Sequence, residues 1–409
     1  MTVEVDERVV LTSYADVREA FRQHDLKQAL YDAGGAVMAD SLITLHGEAH
    51  KRRRRVENRL FRRGTFRVWE LDLVPDAIER SLAGPLEQGS ADLVQLGRRI
   101  IMYLTALVAG IDPPQDDAGA AELEHLAHVF STGATAVHST RDLAEVNAEV
   151  AAGMRAFDEH FLSPAVERRT ALLAGHAEGR VAEGDLPRDV LTAVLRNADE
   201  LGLDRDMIRR EVAFYIQAGS HSTANLFTHA SHQVFGQLGD PVFAERAQDR
   251  AFLQRCVLET LRLHPASPVA WRRAMATIEL RSGIVLPEGA LVEFDLEAAN
   301  TDPQVWGADA RRFDPDRVLP DGVPPWGHSF GGGMHACIGM ELDGGVAAVA
   351  QAGTGADSEH EPVYGTVTLM VHALLNHGAR PDPAEPPTQD VNSSRENFSR
   401  YPVVFGASR

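Results

Sequence analysis

Phe330-Gly331-Gly332-Gly333-Met334-His335-Ala336-Cys337-Ile338-Gly339 is the stretch of this 409-residue chain whose residue types and spacing could do chemistry. Consecutive glycines let a backbone turn tightly against a flat partner, and Gly339 lets a following helix start close to it. A thiol just before such a helix can accept bonds from backbone N–H groups, which favours the thiolate and tunes its electron donation to a metal. Cys337 is therefore a candidate metal ligand. Two other readings stand beside this one. A lone cysteine after glycines is also what a small buried hydrophobe looks like, and Gly331 to Ala336 satisfies the Gly-x-Gly-x-x-Ala dinucleotide fingerprint. That fingerprint needs a strand immediately before it. The preceding Asp321-Gly322-Val323-Pro324-Pro325-Trp326-Gly327 cannot be a central strand.

Three other stretches carry chemistry-bearing residues. His50 and Arg54 are four apart and share one helical face, inside the basic run Lys51-Arg52-Arg53-Arg54-Arg55 that continues with Arg59, Arg62, Arg63 and Arg67. Such a run is ordinarily a solvated face. Residues 206–238 have the length of a helix crossing a whole domain, and their middle reads Gln217-Ala218-Gly219-Ser220-His221-Ser222-Thr223-Ala224-Asn225. A Gly-Ser pair inside a long helix marks a kink or a close packing contact, and His221 is a side chain that can move protons near neutral pH. Glu259 and Arg262 are three apart on a helical pattern, which ordinarily gives a weak exposed pair.

Around these stretches the chain supplies a large scaffold. With 44% hydrophobic residues it can bury a large core. Helix-length apolar patterns fill 93–109, 121–130, 143–161 and 190–195, and 367–375 resumes one. A strand over 9–12 leads into a helix over 14–21, and a last strand is expected around 401–405. Two cysteines, Cys256 and Cys337, suggest no disulfide framework, and a reducing compartment fits. Residues 1–6 lack a leader pattern and no run of 18 apolar residues occurs, so a non-exported protein without a membrane span is expected. A formal charge of -19 argues against nucleic acid as a general partner.

Phe330, Gly333, Cys337 and Gly339 match the Phe-x-x-Gly-x-x-x-Cys-x-Gly signature, and the chain resembles the cytochrome P-450 family of haem-thiolate proteins, soluble bacterial type. Further matches follow in the family's order: His-x-x-x-Arg at His50 and Arg54, a helical Ala-Gly segment at Ala218 and Gly219, and Glu-x-x-Arg at Glu259 and Arg262. The resemblance implies a mainly α fold with small β-sheets, a triangular helical prism around a buried haem, as a single domain over 1–409. It implies haem b (iron protoporphyrin IX), with Cys337 as the metal ligand, Phe330, Gly333 and Gly339 shaping its loop, and His50, Arg54, Arg272 and His335 meeting the propionates. Glu259, Arg262 and Arg317 would form a structural network near the cysteine loop, and Val269 and Ala270 would line the pocket. The 129–150 region would roof it.

By the same resemblance, Gly219, His221, Ser222 and Thr223 occupy the segment that delivers protons to bound dioxygen. Here the chain departs from the family. His221 stands where an acid is usual and Ser222 where threonine is usual. The implied function is a monooxygenase that hydroxylates or epoxidises a small molecule in secondary-metabolite biosynthesis, with electrons from a ferredoxin or flavodoxin docked on the Lys51 to Arg67 face. An atypical enzyme of oxidative coupling, ring formation or nitration is the alternative, and a non-catalytic haem sensor the third reading. A cytoplasmic monomer with no nucleic-acid or membrane partner is expected. Against the family pattern, the chain begins late, lacking part of the lid, and carries an insertion at about 343–365.

Overall fold

The computed structural model of the protein describes residues 8–114, 116–346 and 363–406. Most of the expected insertion, 347–362, lies outside the described residues. On its flanks Val346 N–H donates to Val363 O at 2.8 Å, so the described chain resumes beside the point where it leaves off.

The architecture is mainly α with small β-sheets, as expected. A four-stranded sheet is built from β1 (Arg8–Leu11), β2 (Leu26–Gln28), β3 (Val269–Ala274) and β4 (Leu291–Asp295), in the order β1-β4-β3-β2. β1 runs parallel to β4, whereas β3 pairs antiparallel with both β4 and β2. The β2–β3 register sets Gln28 opposite Arg272. Helices that matter for the site are α1 (Tyr14–Ala20), α2 (Gly47–Glu57), α3 (Leu93–Ala109), α4 (Asp117–Ala134), α5 (Arg205–Gln237) and α6 (Arg250–Leu263).

Helices α3 to α6 start where the sequence supplies an aspartate N-cap. Asp92 accepts from Val94 N–H, Asp116 from Gly119 N–H, Asp204 from Met207 N–H and Asp249 from Ala251 N–H, at 3.0, 2.8, 2.7 and 2.8 Å. α3 ends at Gly110, whose φ of 92° is open to glycine at little cost.

α5 decides where the site lies. Its N-terminal half buries Ile208, Val212, Phe214, Tyr215 and Ile216 in one apolar core, and its C-terminal half buries Leu226, Phe227, Ala230 and Val234 in another. No buried side chain from 217 to 225 belongs to either core. That polar middle faces a cavity instead. α5 is one helix from Arg205 to Gln237, with no break at the Gly219-Ser220 pair. Gly219 serves packing: a Cβ there would lie 2.9 Å from Thr105 Oγ1 on α3. Gly97 on α3 answers it, with its Cβ position 2.8 Å from the Phe227 ring. These two glycines let the helices cross closely.

Further along α5, His229 is buried and stacks on His264 at 4.6 Å between ring centres. Burial, reinforced by the neighbouring His264 and His232, pulls its pKa down to about 3. A histidine depressed in the fold contributes stability that is complete above the unfolded value of about 6.5 and is lost as pH falls. Going from pH 7 to pH 5 should therefore cost about 2 kcal/mol through this group alone. Urea midpoints at the two pH values check this, and His229→Leu should flatten the difference; an unchanged slope in the variant contradicts it.

Candidate functional site

The glycine-rich loop is held by α1 and the end of α6. Gly333 has φ +63°, and a Cβ there would sit 1.9 Å from Phe21 O, just past α1, so no other residue fits without moving the backbone. Cys337 N–H donates to Phe330 O at 2.9 Å, closing the loop, while Phe330 is buried edge-on to Trp326 with ring centres 5.6 Å apart. Gly339 has no other heavy atom of the described residues within 4 Å of its Cβ position, so its small size answers no packing contact there.

Cys337 lies on the wall of a cavity of about 280 Å³. Its side chain is open to that cavity, yet the surroundings are interior, and burial pushes the thiol up to about 12. Asp343 pushes in the same direction, while the Gly339 N–H bonded to the sulfur pulls it back. A thiolate here needs a cationic partner such as a metal ion. Among the described residues no group of three or more His, Cys, Asp or Glu side chains gathers to hold a metal. A metal at Cys337 must therefore bring its other ligands with it.

Beside Cys337 four nitrogenous side chains converge from three elements. His50 and Arg54 come from α2, Arg272 from β3 and His335 from the loop, and all line the same cavity. The His50 and His335 rings are 4.5 Å apart, both are buried, and neither has a hydrogen-bond partner on either ring nitrogen. Burial lowers their pKa values to about 4 and about 2. Arg54 donates to Ala336 O at 2.9 Å, and Arg272 to Gln28 Oε1 at 2.6 Å; burial lowers Arg272 to about 10. Buried donors without an acceptor are costly, so this cradle fits an anionic group.

Above the same cavity lie Ala218, His221, Ser222 and Thr223 of α5. Their hydroxyls are already engaged. Ser222 donates to Ala218 O at 2.8 Å and Thr223 to Asp343 Oδ1 at 3.0 Å. Asp343 is a half-buried carboxyl raised to about 7 by desolvation, against the pull of Thr223. His221 makes no hydrogen bond to a described residue, and its pKa falls well below 6.5 through burial first and then Arg395 and Arg98. Burial thus holds it in the neutral form at pH 7.

The three residues expected to form a network meet. Arg262, fully buried, donates to Glu259 Oε1 and Oε2 at 2.7 Å each and to Asn300 O at 2.6 Å. Arg317 reaches Glu259 Oε1 at 3.4 Å and Trp306 O at 2.8 Å. Asn300 then bonds Ser329 Oγ and the His328 N–H, at 2.9 and 2.7 Å, which ties the network to the cysteine loop.

The basic face is smaller than the run of arginines implies. Lys51, Arg52, Arg55, Arg59 and Arg62 are exposed, but Arg53 is buried and paired with Glu211 of α5, beside Glu57 and Tyr215. Helical rotation turns one residue of the run inward. Sequence reasoning missed Gln28, Asp343, Arg98 and Arg395; only Asp343, an acid six residues beyond Cys337, left a visible signal.

Residues 184–342 match the family model described as Cytochrome P-450. Cyclooctat-9-en-7-ol 5-monooxygenase of Streptomyces melanosporofaciens is 26% identical over 381 residues, 85% of this chain and 80% of that protein. Cytochrome P-450 313a3 of Drosophila melanogaster is 32% identical over 177 residues, 37% of this chain and 36% of that protein. The chain thus spans about a third of the length of that curated relative. The crystal structure of CalO2 superposes with a TM-score of 0.74 at 19% identity, covering 98% of this chain and 91% of that one. Among the described residues no helix is long and apolar enough to cross a membrane. The matched region and the curated relatives point the same way: over residues 184–342 this chain is similar to the cytochrome P-450 family, and its fold is like that of CalO2 over nearly the whole length.

Proposed function

We propose that this chain is a haem-thiolate monooxygenase acting on a small molecule, with Cys337 as the iron ligand. The observation that carries this reading is that the Cys337 thiol and the unpartnered His50 and His335 nitrogens open into one cavity beneath the polar middle of α5. Arg54, Arg272, His50 and His335 would hold the propionates of haem b. When bound, haem iron supplies dioxygen activation, with thiolate donation favouring O–O cleavage. Net, one oxygen atom enters a C–H or C=C bond and the other leaves as water, consuming two electrons and two protons.

This chain's residues bind, orient and move protons. Leu30, Phe214, Val269 and Ala270 present apolar surface to the substrate. Neutral His221 carries one ring proton and one ring lone pair and can hand a proton across the cavity. Thr223, hydrogen-bonded to Asp343, is a second hydroxyl at the same wall. Exposed Lys51, Arg52, Arg55, Arg59 and Arg62 offer an acidic ferredoxin or flavodoxin a landing face, whose pull weakens with salt. A relative that is a monooxygenase over most of its length supports the reaction class, and secondary metabolism is the setting we infer for it.

The test is the reduced carbon monoxide spectrum of the purified protein, followed by turnover with a surrogate ferredoxin system, a reduced nicotinamide dinucleotide as electron donor and isotopically labelled dioxygen. A thiolate-type band and labelled product are expected. A protein that takes up haem without that band would overturn the reading. The altered proton-delivering pair, neutral His221 with Ser222 bonded back to Ala218, favours a second reading in which oxidative coupling or ring closure replaces oxygen insertion. Coupled or cyclised product lacking the label would select it.

A further inference from the structure

A second chamber adjoins the cavity beside Cys337 at His221. Ser131, Thr135, His221 and Arg395 also line this larger chamber of about 450 Å³, walled by the end of α4, the 135–141 turn and the 390–399 segment. Ser394 N–H donates to His138 O at 3.1 Å, which joins the last two walls. In a chain of formal charge -19 this chamber has the opposite sign. Arg98, Arg141 and Arg395 line it, against Asp390 as its acid.

Arg141 is already neutralised by Glu149 at 2.5 Å. Arg98 and Arg395 have no ion pair to a described residue. Arg395 donates to Ala266 O and Thr135 Oγ1, at 3.1 and 3.0 Å, and its Nε is buried without a partner. His138 is buried with Nε2 also unpartnered. Asp390 spends one oxygen on the Asn392 N–H at 2.9 Å. Two guanidinium groups and an unfilled imidazole therefore line the second chamber, which shares Ser131, Thr135, His221 and Arg395 with the cavity beside Cys337. Leu30, Phe214, Val269 and Ala270 add apolar surface to the cavity that Cys337 shares with the cationic cradle.

We propose that Arg98 and Arg395 form an anion-recognition site that selects substrates with an apolar body and a carboxylate head. The head lies in the cationic chamber and the body passes His221 toward Cys337. This rests on the function proposed above for the reacting end of the substrate. A carboxylate is favoured because planar guanidinium groups bind it bidentately and because Arg98 and Arg395 are half-buried with no acid of the described residues in ion-pair contact.

Isothermal calorimetry on the holoprotein tests it, with dodecanoate and naphthylacetate as probes, each against its uncharged amide. At least one carboxylate should bind about tenfold or more tighter than its amide. Arg98→Gln and Arg395→Gln should each remove most of that preference, with Arg98→Lys restoring part of it. Arg395 also braces the Ala266 and Thr135 segments, so the Arg98 variant, which breaks no hydrogen bond, keeps the test readable if Arg395→Gln fails to fold. Carboxylates and amides of equal affinity would overturn the proposal, as would a preference that survives Arg98→Gln unchanged. Because heat is read rather than turnover, a missing thiolate band would sink the haem reading and leave this result standing. An intact band with no anion preference would sink this inference alone.

Discussion

Cys337→Ser should abolish the thiolate signature of the reduced carbon monoxide complex and lower oxygenation by more than about a hundredfold, since even changes beside a metal ligand cost ten- to a hundredfold. Serine is nearly isosteric, but its hydroxyl cannot become an anion at neutral pH as a metal-bound thiol can. The backbone of the loop should survive, because it is set by the Cys337 N–H bond to Phe330 O and by Gly333 against Phe21, not by the sulfur. The unfolding free energy of the haem-free variant, from urea titration, should therefore change by less than about 0.5 kcal/mol, as for a change that opens no cavity. Persistence of the thiolate band in the variant would remove Cys337 from the ligand role altogether.

Arg262→Met should be the most destabilising single change outside the cavity, by about 3–5 kcal/mol. The substitution keeps bulk and leaves Glu259, 5% exposed, with the Arg317 Nε at 3.4 Å and the Asp314 N–H at 3.1 Å in place of two short bonds. It also removes the cation above Trp306, 4.7 Å from the ring centre. Since Asn300 carries the network on to Ser329 and His328, haem retention during gel filtration should fall in step with the urea midpoint. The double variant Glu259→Met with Arg262→Met should recover part of the loss, because no unpaired charge is then buried. A loss below about 1 kcal/mol in the single variant would mean that the pair is not what holds this corner.

Much of this was legible along the chain. The pattern over 93–109 ends where α3 ends, because capping aspartate and terminal glycine are local signals that act within one turn. His50 and Arg54 could be placed on one face by their spacing alone, and α2 does present both to the cavity. The Cys337 loop was legible because its glycines answer a backbone demand that no other residue meets. The basic run was misread in part, since neighbouring arginines carry no mark of which one a distant glutamate will bury.

By itself, then, the sequence determined the helical frame, the metal-ligand candidate and the shared face of His50 and Arg54, since each depends on spacing within a few residues, whereas Arg272 and His335 entered only through the family resemblance. Tertiary structure alone decided that Gly219 packs on Thr105, that His221 is neutral, and that Arg98 and Arg395 face one chamber. Those outcomes depend on which side chains from remote segments share a low-dielectric space, and that is a property of packing, not of sequence neighbours.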